Sequence, residues 1–209
     1  MDKKLLPLSD VALIAKFQQG DYAAFEELVQ RHEKKVYNLA YRIMGNMEDA
    51  SDILQETFLQ AFRKLGGFKG DSEFSTWLYR VAVNFCLMRK RKEKPTVNLE
   101  DPGLISRKDG RVDSGDMDWS DSPLASMENA ELKKVLAEAI QQLPVEYRTV
   151  FALKTEKALT NEAIAKIVKL SLPAVKSRLH RARLFLQEKL TEYFSPSPEN
   201  RGKETVKQV

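Results

Sequence analysis

Apolar residues recur along this chain at three- and four-residue intervals, and no segment sustains the alternation of a half-buried strand. Phe25, Leu28, Val29, Val36, Leu39, Ala40 and Ile43 share one face, which predicts a helix capped by Asp21 and ended by Gly45. Asn46 opens a second helix, with Ala50, Ile53, Leu54, Thr57, Phe58, Ala61, Phe62 and Leu65 on its apolar side and Gly66-Gly67 at its end. A loop from Phe68 to Asp71 leads into a third, from about Ser72 to Lys92, which runs into Pro95. A shorter helix, Ser9 to Gln19, would pack on these. A second block starts near Ser126, where Leu132, Val135, Leu136, Ala139 and Ile140 form a stripe up to Leu143. Pro144 suits the first position of a helix carrying Val150, Phe151 and Leu153. Thr160 caps a short helix with Ala163, Ile164, Ile167 and Val168, and a last helix runs from about Leu172 to Phe194 with Pro173 in its first turn. The expected fold class is all-α, built as two small helical domains.

The segment between the blocks changes character. From Pro95 to Met127 it holds DPG, KDG, DSGD and SDSP with almost no apolar periodicity. Turn-formers and like charges cannot bury enough surface to offset the entropy of ordering. The expected organisation is a helical domain over 1–94, a flexible acidic linker over 95–127, a second helical domain over 128–194 and a disordered tail over 195–209, which holds Pro196, Pro198 and Gly202. The net charge of +4 over 209 residues divides accordingly into +3, −4, +4 and +1. Two mildly basic blocks flank an acidic segment.

Several function classes drop out. The longest apolar run, Val11 to Ala15, is far short of the roughly 20 residues a membrane span needs. Lys3 and Lys4 are followed by Pro7 and Asp10, which interrupt the run a signal peptide requires. Cys86 is the single cysteine, and His32 and His180 lie far apart, so an internal disulfide and a Cys/His zinc cluster are excluded. The chain reads as cytosolic, free of metal and of any cofactor, and Cys86 reads as a core residue.

Three stretches carry chemistry. Thr160 to Arg183 has helix-turn-helix spacing, with the small Ala165 at the close approach and Ile164, Val168 and Val175 as the shared contact. Its second helix presents Lys176, Ser177, Arg178, His180, Arg181 and Arg183, with four positive charges and no acid from Leu172 to Gln187. Such a helix enters the major groove, where Arg and Lys read guanine or hold phosphates. The segment FKGDSEFSTWLYRVAVNFCLMRKRK interleaves Phe68, Phe74, Trp77, Tyr79 and Phe85 with Lys69, Arg80 and the cluster Arg89 to Lys92. Rings that stack on bases beside cations that track phosphates suit a single strand. The same spacing makes Phe74, Trp77, Leu78, Val81 and Phe85 core candidates. Gly66-Gly67-Phe68-Lys69-Gly70 lacks the Gly-Lys-Ser/Thr ending and the preceding strand of a phosphate loop. Glu48, Asp49, Asp52, Gln55 and Glu56 lie opposite an apolar stripe, as either a solvated face or a docking face for a basic partner.

Taken in order, these pieces resemble a bacterial extracytoplasmic-function sigma factor of the sigma-E type. DASDILQETFLQAFRKL (Asp49–Leu65) looks like the family's core-polymerase-binding helix, and FKGDSEFSTWLYRVAVN (Phe68–Asn84) like its promoter-melting and −10-reading element. LPVEYRTVFAL (Leu143–Leu153), then NEAIAKIV and VKSRLHRAR (Val175–Arg183), look like its −35-binding domain. The likeness covers roughly residues 10–92 and 128–190, about seven-tenths of the chain.

The resemblance implies that Asp52, Gln55, Glu56 and Leu59 face core RNA polymerase. It implies that Phe68, Lys69, Gly70, Asp71, Ser72, Phe74, Tyr79, Arg80 and Asn84 engage the unwound −10 strand. It places Lys176, Ser177, Arg178, Arg181 and Arg183 on duplex DNA at −35. It also implies an anti-sigma partner, often membrane-anchored, a cytoplasmic chain that is monomeric when free and not itself inserted in the membrane, a role in a stress or envelope response, and no enzyme activity. Four positions depart from the family pattern. Lys169 stands where Gly is frequent in the helix-turn-helix turn, Pro173-Ala174 replaces a common Gly-Thr, and Met88 stands where Asp is frequent.

Distance makes polymerase necessary in this reading. Elements about 25 base pairs apart are about 85 Å apart along the axis. A free linker of 33 residues averages about 30 Å and reaches about 110 Å only when fully extended. Polymerase would hold it stretched, so the isolated protein is expected to bind full promoters poorly. The alternative reading is an autonomous helix-turn-helix regulator, which would ordinarily dimerise on half-sites. A nucleic-acid enzyme would need convergent acids, and the Asp116/Asp118 pair falls in the expected linker.

Overall fold

A computed structural model describes residues 8–93, 130–156 and 159–194. The expected linker, with Asp116 and Asp118, and the expected tail lie outside the described residues. Eight helices occur among the described residues: α1 Asp10–Gln18, α2 Tyr22–Met44, α3 Met47–Leu65, α4 Phe74–Glu93, α5 Ala130–Gln142, α6 Val145–Lys154, α7 Asn161–Val168 and α8 Leu172–Phe194.

Side-chain caps fix several helix starts. Ser9, Asp21, Asn46 and Thr160 accept bonds from the backbone N–H groups of Ala12, Ala23, Asp49 and Ala163. Gly45 ends α2 in the left-handed region at φ 87°. Two starts differ from the sequence expectation. α4 begins at Phe74, two residues later than Ser72, and Pro144 sits in the extended capping position rather than in the first turn of α6.

α1 to α4 pack as one bundle, with α2 against α1, α3 and α4. Leu28, Val36, Leu39, Ile43, Ile53, Leu65, Leu78 and Val83 are fully buried at its centre. α1 is pinned at its start, where the Asp10 carboxylate lies 2.6 Å from His32 Nε2 and also pairs with Arg31. The buried His32 ring meets Phe74 edge-on at 5.2 Å, so α1 supports the first residue of α4 through one histidine. Phe62 is a partial exception to the expected apolar face. It is 43% exposed and stacks with the exposed Tyr22 at 6.0 Å.

In the second unit α8 packs on α5, α6 and α7. Leu136, Ala139, Ile140, Leu143, Phe151, Ala182 and Leu186 form its own small core. The remaining apolar face turns the other way. Val150, Leu153, Leu159, Ile164, Ile167, Val175 and Leu179 join the core of the first bundle in one continuous cluster. α6 lies on α2, and α7 lies on α4. The two helical units are thus present as expected, but they are closed on each other. Sequence periodicity does not report this, because it cannot say which apolar face meets which.

The turn between α7 and α8 stores strain. Lys169 adopts φ 57°, ψ 46°, and its N–H bonds the Ala165 carbonyl. A side chain in that region costs about 1–2 kcal/mol, a cost glycine avoids. Lys169→Gly is therefore expected to raise the unfolding free energy by about 1 kcal/mol, less than the full strain because glycine also loosens the unfolded chain. Urea denaturation measures it, and an unchanged or lower midpoint would contradict the strain assignment.

Candidate nucleic-acid and protein interfaces

The outward side of α3 is the first candidate surface. Its amphipathic pattern leaves Gln55, Glu56 and Leu59 facing solvent, with Leu59 52% exposed. Asp52 is placed differently. Arg89 of α4 bonds Asp49 through Nε and Asp52 through Nη2, each at 2.8 Å. The bond to Asp52 holds the Arg89 guanidinium above its ordinary pKa. Asp49 and Asp52 thus clip α3 to α4. Glu56, Phe85, Met88, Arg89, Lys92 and Glu93 line a groove alongside, between the two helices.

The second surface runs from Phe68 through α4. Lys69, Gly70, Asp71 and Asn84 are exposed, while Phe68, Ser72 and Arg80 are half-buried. Phe74 is buried beneath Phe68 and stacks on Trp77 at 5.9 Å, so its ring supports the loop. Tyr79 is buried as well, at 3% exposure. Of the core candidates on α4, Phe74 and Leu78 are buried, whereas Trp77, Val81 and Phe85 are half-buried. Tyr79, Ala82, Val83 and Cys86 complete the buried side. The inward arc of α4 is wide because α4 touches α2 and α3 on one flank and α6 and α7 on the other.

The third surface is α8. Lys176, Ser177 and His180 are exposed, and Arg178, Arg181 and Arg183 are half-buried. Val175 and Leu179 point inward, so the basic residues fan across the opposite side. Tyr147 steadies two of them. Arg178 lies over its ring at 5.9 Å, and Arg181 Nη1 reaches its hydroxyl at 3.5 Å.

Sequence reasoning missed the polar seam between the units. Arg42 Nη1 donates to Glu156 Oε1 at 2.9 Å and to Thr155 Oγ1 at 2.8 Å. The other Glu156 oxygen accepts from Tyr79 Oη at 3.3 Å. Burial, followed by the Glu156 charge, raises the Tyr79 phenol well above its ordinary pKa. Gln141 Nε2 donates to the Arg42 carbonyl and Arg148 Nη1 to the Ile43 carbonyl. Arg148 also donates to the Gln141 side chain and to the Gln141 and Leu143 carbonyls, and burial lowers its pKa. Spacing carries no signal for such contacts, since the partners are about a hundred residues apart.

Comparison with known proteins settles the family. Residues 28–96 match the family model Sigma-70 region 2, and residues 133–186 match Sigma-70, region 4. RNA polymerase sigma-H factor of Pseudomonas aeruginosa is 34% identical over 179 residues, covering 83% of this chain and 90% of that protein. The chain belongs to the extracytoplasmic-function sigma factors of RNA polymerase. The sigma-E factor of Haemophilus influenzae is 34% identical over 187 residues, covering 88% of this sigma factor and 96% of that one. The solved structure of CnrH in complex with the cytosolic domain of CnrY shares the fold, with a TM-score of 0.62, 23% identity and coverage of 89% of this chain and 99% of that one.

Cys86 tests the burial of α4 in this sigma factor. It is fully buried, and burial pushes its thiol up to about 12. The thiolate is the reactive species, so the folded protein is expected to resist iodoacetamide at pH 8 and to be alkylated only in denaturant. Mass spectrometry measures this, and rapid labelling of the native protein would show that α4 is open.

Proposed function

We propose that this sigma factor divides its work along the boundaries read from its sequence. Residues 1–94 bind core RNA polymerase and the unwound −10 strand, 128–194 bind duplex DNA at −35, and 95–127 connect the two. In this reading the chain has no chemistry of its own. It selects the promoter and lowers the barrier to strand opening by holding unpaired bases, while polymerase makes RNA. It acts in the cytoplasm, where polymerase is. No helix among the described residues is long and apolar enough to cross a membrane, and an inner-membrane anti-sigma factor would supply any tether. Release from that partner would link it to an envelope or stress signal. The structure of CnrH with the cytosolic domain of CnrY supports a partner of this kind.

The exposed stripe on α3 is the observation that carries the polymerase role. Gln55 and Glu56 lie side by side with Leu59 one turn on, and Glu56 lines the groove, while the short ion pairs of Arg89 go to Asp49 and Asp52. An acidic and apolar stripe suits a basic helical surface on the enzyme. Lys69, Arg80 and Asn84 supply polar and cationic contacts for the −10 strand, and the outward basic side of α8 supplies the −35 contacts.

Co-elution with cognate core polymerase tests the reading without knowledge of the promoter. The Gln55→Lys/Glu56→Lys pair reverses the stripe and leaves the Asp52–Arg89 bond in place. Binding is expected to weaken about tenfold or more. Unchanged binding would move the interface elsewhere, and failure of the folded parent protein to bind would overturn the polymerase role.

A further inference from the structure

The seam joins Tyr79, one of the residues the resemblance implies for the −10 strand, to Arg42, which the resemblance does not assign. Arg42 of α2 and Tyr79 of α4 converge on the Glu156 carboxylate, one oxygen each, at 2.9 and 3.3 Å. Arg42 makes no other ion pair among the described residues, and its side chain keeps 28% of its surface exposed. A phosphodiester carries the same single charge on two non-bridging oxygens. Arg and Tyr are common donors to it. We propose that Arg42 and Tyr79 form a phosphate pocket of the strand-binding surface, and that Glu156 fills this pocket from the second unit while the chain is closed.

The inference rests on the reading of α4 as the strand-binding element. Two observations favour competition between Glu156 and a strand over a static ion pair. First, α7 sits directly on α4, so the closed chain cannot place α4 and α8 at DNA elements about 85 Å apart. Promoter engagement must separate the units, and separation removes Glu156 from Arg42. Second, that departure takes Glu156 from the Arg42 guanidinium of α2 and the Tyr79 hydroxyl of α4, and Arg80 follows Tyr79 on α4. Arg80 Nε is itself buried without a hydrogen-bond partner. A strand phosphate restores the lost partner and keeps the units apart. Promoter binding and opening therefore draw on one contact, and Glu156 sets the threshold for both.

The test uses the full chain and a short, fluorescein-labelled DNA single strand of mixed sequence, read by anisotropy with and without core polymerase. Phosphate contacts do not depend on base sequence, so mixed sequence suffices. Glu156→Gln keeps the shape and removes the competing charge. It is expected to tighten strand binding by the free protein about fivefold, and by less in the polymerase complex, where the units are already parted. Arg42→Ala is expected to weaken binding, Arg42→Lys to restore part of it, and Glu156→Gln on the Arg42→Ala background to have no effect. An unchanged affinity in Glu156→Gln overturns the competition. A gain that persists without Arg42 overturns the pocket, since opening alone would then account for it. If strand binding is absent in every protein even with core polymerase, the strand-binding reading of α4 falls, and the pocket falls with it.

Discussion

The end of α2 imposes the constraint on which the closed arrangement depends. A helix leaves its last carbonyls without intrahelical partners, and these must be met by something. Gly45 turns the chain left-handed and takes the Tyr41 carbonyl, but those of Arg42 and Ile43 point outward. Gln141 and Arg148 meet them from the second unit. A Cβ at Gly45 would come within 2.4 Å of the Gln141 side chain, so glycine serves both the turn and the approach. Net of the water they replace, these bonds are worth about 0.5–1.5 kcal/mol each, so they set the orientation of the units while apolar burial holds them together.

Polar groups at the seam and apolar groups around it do different things. Val150, Leu153, Ile164 and Ile167 contribute burial, which is non-directional. Arg42, Glu156 and Tyr79 fix the register at which that burial occurs. On the other flank of α4, Arg89 ties Asp49 and Asp52 and makes α3 and α4 a single plate. The exposed Gln55, Glu56 and Leu59 lie on the α3 part of that plate, and Tyr79 of the seam on its α4 part. A change in the seam can therefore reach the proposed strand surface on α4 without touching the exposed residues of α3.

Much of the fold could be read from local signals. Asp21, Gly45, Asn46 and Thr160 act at the helix ends where their chemistry suggested. The helix-turn-helix was legible from Ile164, Val175 and the acid-free face of α8, and Lys169 takes the left-handed turn that the glycine preference at its position suggested. What was not legible is non-local. Asp52 reads along the chain only as part of an acidic face, because nothing there points to Arg89, 37 residues on. Tyr79 looked available to a base because its cover comes from Glu156, 77 residues on. Phe74 fitted both a core and a stacking role, and only the positions of His32 and Trp77 decide that its ring is packed inside.

The covering of Tyr79 bears on how the free protein moves through a genome. Two linked DNA-binding surfaces multiply their affinities, and a chain offering both would be retained by any sequence they could bridge. Chromosomes present on the order of 10⁶ or more such decoys. Folded on itself, a chain with the proposed roles keeps Tyr79 covered and cannot spread its two surfaces across one promoter. Under the proposed roles, self-closure works as a search device, keeping the pool of unemployed molecules in solution for polymerase instead of scattered along DNA.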